Sequence, residues 1–279
     1  ESSAASDVYK RQLLRRTFDL YRPQTVFHAA AYKHVPMLEL QPWQAVENNI
    51  IGTARVIAAA REYATDRFVF VSTDKAVRPT NIMGASKRIA ELMIQCQKEQ
   101  PGVTTKFMIV RFGNVFGSVG SVIPLFKKQI AQGGPVTVTH PEVTRYFMTI
   151  PEACQLILQA GTMGEGSEIF VLDMGTAIKI DDMAKDLIRL SGFEPNVDIK
   201  IEYIGLRPGE KLYEELITVG EGLLPTQHSK ILVLSGGACD LNTLTDQVEK
   251  LRCLAEKQDH KGIQKQLIGI IPEYQPKMN

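Results

Sequence analysis

The stretch Ser72 to Arg88, STDKAVRPTNIMGASKR, gathers side chains that can move protons. Asp74 and Lys75 stand side by side after the hydroxyl of Thr73, and all three follow an apolar run, 68–71, that reads as a buried strand. The carboxyl end of such a strand is where open α/β sheets bind ligands. A neighbouring acid and amine can work as a general acid/base pair if the amine's pKa is brought down and the acid's brought up. Contact between opposite charges drives both the other way, so the pair needs burial or a shared proton. Met83 and Lys87 follow at a spacing of four, which places them on one face of a helix. A thioether cannot act as a base, so of these two only the lysine can take part in proton chemistry.

Such residues must be held by a scaffold, and the surrounding pattern supplies one. Apolar residues recur at helical spacing over 13–21, and 25–30 is a short apolar run suited to a buried strand. Helical spacing returns over 43–63, in Trp43, Val46, Ile50, Ala54, Ile57 and Ala60. A strand is expected at 67–72, a helix over 83–97 and a further strand at 106–111. This alternation implies parallel strands joined by crossover helices, the doubly wound, Rossmann-like α/β class. Beyond Asn114, glycine and proline clusters break the rhythm and a smaller lobe is expected. It contains a helix at 151–160, announced by the capping-box spacing of Thr149 and Glu152 with Pro151 in the first turn, and another at 180–190 ended by Gly192. A strand at 231–234 and a helix at 241–257 close the pattern. No GxGxxG turn is present, so the chain is expected to begin after the unit that cradles a dinucleotide's pyrophosphate.

Composition narrows the function classes. Lysine and arginine total 32 against 31 acidic residues, which leaves no global field to attract nucleic acid or an anionic membrane. Any anionic ligand must be held locally. No apolar run approaches the roughly 18–20 residues that span a bilayer. The four cysteines form no CxxC pair, so neither a disulfide framework nor a zinc site is expected and a reducing cytoplasm is the natural setting. His28 and His34 lack carboxylate partners in register, and no metal is expected on them. The opening 7–12, DVYKRQ, resembles the translation of a transposon-end adaptor. Residues 1–12 are therefore expected to be non-native, with the true protein extending further upstream.

Taken with HAAAYKH at 28–34 and NIIGT at 49–53, the segment 72–88 resembles the extended short-chain dehydrogenases, and more narrowly their polysaccharide-biosynthesis branch, the UDP-N-acetylglucosamine 4,6-dehydratases. The resemblance runs from about Leu13 to Lys230. It implies a partial NAD(P)-binding domain over 13–116, mainly a nucleotide-sugar-binding lobe over 117–230, and a C-terminal strand and helices over 231–279. The family's YxxxK pair is replaced here by Met83 and Lys87, as in the large, configuration-retaining dehydratases. Such an enzyme oxidises the sugar at C4, removes the C5 proton, expels the C6 hydroxyl and returns the hydride at C6. The resemblance assigns Lys75 as the C5 base and Asp74 as the C6 acid, with the order of roles within the pair left open. Thr73 and Lys87 would hold the C4 hydroxyl. NAD or NADP is implied, with NAD preferred, contacted by Ala29, Ala30, Ala31, Lys33, Asn49, Ser72 and Lys87. Lys33 and Asn49 would either touch it or brace the catalytic loop. For the UDP-amino-sugar substrate the resemblance implies Asn114 on the sugar or phosphate, Val122 and its neighbours around the uracil, Arg145 and Arg207 on the diphosphate, and Glu210 on a ribose diol. Planar guanidinium groups suit phosphate oxygens in pairs. A homo-oligomer is expected, in the cytoplasm, with inner-membrane attachment only through upstream helices. Two other readings stand beside this one: a 4-epimerase or reductase on the same fold, and a UDP-sugar-binding fragment without catalysis.

Overall fold

The computed structural model describes residues 3–98, 100–217, 222–234 and 240–276, with side chains from Arg11 onward. Helix α1 (Ser3–Tyr21) leads to strand β1 (Thr25–His28), the short helix α2 (Val35–Leu40) and α3 (Pro42–Gln44). A π-helical turn (Ala45–Ile51) joins α3 to α4 (Gly52–Glu62), and β2 (Arg67–Val71), α5 (Ile82–Gln95) and β3 (Lys106–Arg111) follow. The next part of the chain holds β4 (Asn114–Val115), α6 (Val122–Ala131), β5 (Val136–Val138), β6 (Thr144–Arg145) and β7 (Phe147–Met148). Then come α7 (Ile150–Met163), β8 (Ile169–Leu172), β9 (Ile178–Lys179), α8 (Ile180–Leu190) and β10 (Ile201–Tyr203). The last elements are β11 (Leu223–Pro225), β12 (Ile231–Leu234), α9 (Leu241–Glu256) and α10 (His260–Ile270).

The main sheet runs β1-β2-β3-β8-β12-β11. Its first four strands are parallel, in the register Thr25↔Arg67, Arg67↔Lys106 and Ile109↔Ile169, while β12 lies antiparallel to β8 and β11 antiparallel to β12. Both faces are covered, which is why Phe68, Val69 and Phe70 of β2 are all fully buried in a continuous apolar run. Phe68 and Phe70 point into a core shared with α4, α5, α9 and α10, whereas Val69 joins Met108, Phe170 and α7 on the opposite face. Burying one such phenylalanine contributes about 1.5–3 kcal/mol. A third cluster, built by Phe126 and Ile130 of α6, Val136 and Val138 of β5, and Ile180, Ala184 and Ile188 of α8, forms the smaller lobe. The chain interleaves the two parts: α7, β8 and β12 return to the main sheet from beyond residue 117.

The segments expected from periodicity coincide with elements of the structure, and the Thr149 hydroxyl caps α7 by accepting the Glu152 amide proton at 3.3 Å. The departures have physical causes. The helix expected over 43–63 is interrupted by its π-helical turn, which turns the buried amide of Asn49 inward while Thr53 Oγ1 donates to the Asn49 carbonyl at 2.6 Å. Strand β8 and helices α2, α6 and α10 had no counterpart among the expected segments. No disulfide framework was expected, yet one cysteine is bridged. Cys96, fully buried in the main core, is disulfide-bonded; Cys154 and Cys253 are free. Helix α1 starts at Ser3, so it continues through the segment set aside as non-native. Among the described residues no helix is long and apolar enough to cross a membrane.

Candidate active site

A cavity of about 510 Å³ opens at the carboxyl ends of β2 and β3 and is closed on its far side by the smaller lobe. The turn 73–76 leaves β2 as a single 3₁₀ turn in which the Thr73 hydroxyl oxygen accepts from the Lys75 amide and donates to Asp74 Oδ1 at 2.8 Å. The Asp74 amide donates to the Phe112 carbonyl at 3.0 Å, which ties the turn to the end of β3. Helix α5 packs so tightly on this turn that a Cβ at Gly84 would lie 2.1 Å from the Lys75 carbonyl oxygen. Only glycine allows that approach. Asn81 caps the helix, its Oδ1 accepting from the Gly84 amide at 2.8 Å, while its Nδ2 and the Thr80 hydroxyl both donate to the Gly209 carbonyl. Gly209 has φ +73°, the left-handed conformation that glycine tolerates, and its Cα faces Asn81. The RPGE turn is thereby clamped to the start of α5.

Beneath the turn lies a buried ionic network. Glu91 Oε1 accepts from the Ser72 hydroxyl at 2.6 Å and from Arg111 Nε at 2.8 Å, and its Oε2 accepts from Arg111 at 2.7 Å and Arg88 at 3.1 Å. Burial pushes the Glu91 carboxyl up, but Arg111, Arg88 and Ser72 together hold it down at about 2. The network joins the ends of β2 and β3 to α5, and so fixes the direction in which Thr73, Asp74 and Lys75 leave the sheet.

The charged pair is unequal in access. Asp74 is fully buried behind the turn and does not line the cavity, whereas the Lys75 side chain is 19% exposed and does. Lys75 Nζ donates to Asp74 Oδ1 at 3.0 Å and to Asn114 Oδ1 at 3.3 Å. Burial alone would lower the Lys75 pKa, but the charges of Asp74 and then Glu214 outweigh it and the net direction is up. A lysine base works best with the opposite shift, and the electrostatics of the pair favour the ammonium form of Lys75.

Met83 and Lys87 share one helix face and both line the cavity, as the spacing of four requires. Lys87 Nζ donates to the Val71 carbonyl at 2.7 Å and lies 3.8 Å from the centre of the Phe70 ring. Burial holds its pKa down at about 7, against an opposing pull from Glu91. His28, buried below it and hydrogen-bonded to Thr53 at 2.9 Å, is lowered to about 4 by burial and by the Lys87 charge.

The remaining expected residues divide clearly. Ala29, Ala31, Lys33, Ser72, Thr73, Asn114, Val122, Arg145, Arg207 and Glu210 line the cavity, and Ala30 and Asn49 do not. Asn49 is fully buried and spent on bracing: its Oδ1 accepts from the Tyr32 amide at 2.8 Å while its Nδ2 donates to the Tyr32 carbonyl and to Ser86. Ser72 likewise turns its hydroxyl to Glu91. Arg145 and Glu210 are paired with each other at 3.0 Å, with Arg145 also donating to the carbonyls of Thr144 and Leu212. Arg207 is exposed at the rim, where its amide and the Glu210 carboxylate close the RPGE turn at 3.1 Å. Glu214, Asn81 and the Glu91–Arg111 pair escaped the sequence reading. Glu214 lies in the charged run KLYEE, which by composition reads as a solvated face, and no spacing signal distinguishes it.

Known proteins resemble this chain along much of its length. The family profile described as "Polysaccharide biosynthesis protein" matches residues 2–236. The capsular polysaccharide biosynthesis protein CapD of Staphylococcus aureus is 57% identical over 216 residues, 77% of this chain, which spans only 36% of CapD. A UDP-glucose 4-epimerase of Rickettsia canadensis is 40% identical over 194 residues, covering 69% of this chain and 55% of that protein. Among solved structures, Pen from Bacillus thuringiensis superposes with a TM-score of 0.70 at 36% identity, covering 81% of this chain and 74% of Pen. The motif cluster around Asp74, Lys75, Met83 and Lys87, its position at the end of a parallel strand, and the profile spanning nearly all of both lobes lead to one conclusion: this chain belongs to the polysaccharide biosynthesis protein family.

Proposed function

We propose that this chain carries the sugar-nucleotide site of an NAD(P)-dependent nucleotide-sugar 4,6-dehydratase, acting on UDP-N-acetylglucosamine in surface-polysaccharide synthesis. The observation that carries the reading is the cavity wall itself. It offers the ammonium of Lys75, charged by a carboxylate sealed behind it, while the helix position that would present a phenol presents the thioether of Met83. A proton donor that water does not flood suits the expulsion of a hydroxyl.

The residues fit the nicotinamide end of a dinucleotide. Lys87 places a donor in an otherwise apolar wall, and Ala29 and Ala31 leave the neighbouring wall free of bulk. When bound, that group would take up the C4 hydride of the sugar and return it at C6, with NAD preferred over NADP. Thr73 and Lys87 hold the C4 hydroxyl and receive its proton. Lys75 protonates the departing C6 hydroxyl, and Asp74 keeps it charged and aimed. Arg207 meets the diphosphate from the rim, and Arg145 can turn to it only by releasing Glu210, which would free that carboxylate for a ribose diol. Val122 borders the base.

The names of relatives such as the Rickettsia protein favour a second reading, a 4-epimerase. Supplying UDP-N-acetylglucosamine and NAD to the full-length protein separates the two. A 4-keto-6-deoxy product, lost in Asp74→Asn and Lys75→Ala, supports dehydration; UDP-N-acetylgalactosamine as the product refutes it.

A further inference from the structure

The chain between the charged pair and α5 is fastened residue by residue. The Val77 carbonyl accepts from Lys211 Nζ at 2.8 Å, Arg78 Nε donates to Glu215 at 3.0 Å, and the Pro79 carbonyl accepts from the Gln275 amide at 3.0 Å. Thr80 and Asn81 both donate to the Gly209 carbonyl, and the Ile82 amide donates to Glu39 at 2.7 Å. Segment 209–215 supplies most of these ties, and its Lys211 makes the first of them after Lys75. Val77 is the residue that closes the 3₁₀ turn: its amide donates to the Asp74 carbonyl at 3.1 Å, just after the Ala76 amide donates to the Thr73 carbonyl at 3.2 Å. Val77 is 2% exposed, so water does not readily replace the ammonium on its carbonyl.

Lys211 itself does not face a ligand. It lies outside the cavity wall, with its side chain 12% exposed, whereas its chain neighbour Glu210 lines the cavity and holds Thr139 at 3.1 Å and Arg145 at 3.0 Å. On the other side Leu212 packs on the core of the smaller lobe, and its carbonyl accepts from the Thr144 amide at 3.1 Å. The lysine therefore reaches from a segment rooted in the smaller lobe to a turn rooted at the end of β2. Burial lowers its pKa, with the charges of Glu214, Glu215 and Asp74 pulling it up and Arg78 pulling it down.

We infer that Lys211 is a positioning residue: it fixes the turn 73–77 against the RPGE turn, and so holds the Asp74–Lys75 pair at a set distance from the part of the site that grips the nucleotide sugar. This rests on the reading above that a nucleotide diphosphate lies along the RPGE turn. A proton-transferring side chain tolerates little misplacement from its reacting carbon, an error of about 1 Å costing on the order of 100-fold in rate. Groups that grip one end of a substrate and groups that act on the other keep that tolerance when a side chain spans them, and Lys211 does so without touching the cavity.

The test uses the full-length protein. Lys211→Met keeps the stem and removes the donor, and Lys211→Arg keeps a cationic donor. With UDP-N-acetylglucosamine and NAD, Lys211→Met is expected to lose turnover roughly 100-fold while its Kd for UDP, measured by calorimetry, stays within about threefold of wild type, and Lys211→Arg to recover about tenfold of the loss. Amide hydrogen exchange follows the turn itself and needs no turnover: in the UDP complex, Ala76 and Val77 should exchange at least about tenfold faster in Lys211→Met than in wild type. Unchanged exchange at these two amides overturns the proposal, as does turnover within about threefold of wild type. So does a Lys211→Met protein whose UDP affinity falls as far as its turnover, since that marks loss of the binding turn rather than of its spacing. A wild-type protein that does not bind UDP overturns both readings. One that binds UDP and forms UDP-N-acetylgalactosamine sinks only the dehydratase reading, and the exchange rates still decide the role of Lys211.

Discussion

Glu91→Gln removes the anionic centre of the buried network while leaving an isosteric side chain. In the folded protein the Glu91 carboxyl is held at about 2, against its ordinary 4.5, because Arg111 and Arg88 outweigh the burial that pushes it up. At about 1.4 kcal/mol per pH unit, that difference corresponds to roughly 3 kcal/mol of folding stability. The sign follows from proton binding: the unfolded chain binds this proton more readily. The contribution is complete above pH 4.5 and disappears as the pH falls toward 2. At pH 7 the variant is therefore expected to be less stable by about 3 kcal/mol, in line with breaking one side of a buried ion pair. For a chain of this size that is roughly a 6–12 °C fall in melting temperature. Urea unfolding followed by circular dichroism at several pH values from 7 down to 3 measures it, and the gap between wild type and variant should shrink as the acid range is entered. The double variant Glu91→Leu/Arg111→Met should recover part of the loss, because it leaves no charge stranded. A Glu91→Gln protein within 1 kcal/mol of wild type at pH 7, or a gap that does not change with pH, would refute the reasoning.

Two further outcomes test the local geometry. Gly84→Ala would put its Cβ 2.1 Å from the Lys75 carbonyl, so the helix and the turn must part; a displacement of about 1 Å at Lys75 should lower turnover roughly 100-fold, and activity within threefold of wild type would contradict the packing. Lys87 is held at about 7, below its ordinary 10.5, so the folded protein binds that proton less readily than the unfolded chain and loses stability as the pH falls from 10.5 to 7. Lys87→Met is accordingly expected to be more stable than wild type at pH 6 by on the order of 2–4 kcal/mol while losing activity, with the stability gain fading toward pH 10.5; equal unfolding midpoints of the two proteins in urea at pH 6 would count against it.

The sequence by itself determined the class of fold and pointed to the candidate site, because both are written in short-range patterns. Continuous apolar runs such as 68–71 identify buried parallel strands, helical spacing identifies the crossovers between them, and Asp74, Lys75, Met83 and Lys87 lie within fourteen residues of one another at a strand's end. Adjacent positions and positions four apart on a helix must come together whatever the rest of the chain does. Access and protonation were decided only by the tertiary structure. Whether Asp74 or Lys75 faces the cavity depends on how α5 and β3 close around the turn, and the Lys75 shift combines burial and the adjacent Asp74 with the charge of Glu214, 139 positions away in the sequence. Arg145 and Glu210, expected to act on separate parts of a ligand, are paired because β6 and the RPGE turn meet across the smaller lobe. Spacing along a chain carries no information about such meetings; electrostatic energy falls with distance through space, and folding alone sets that distance.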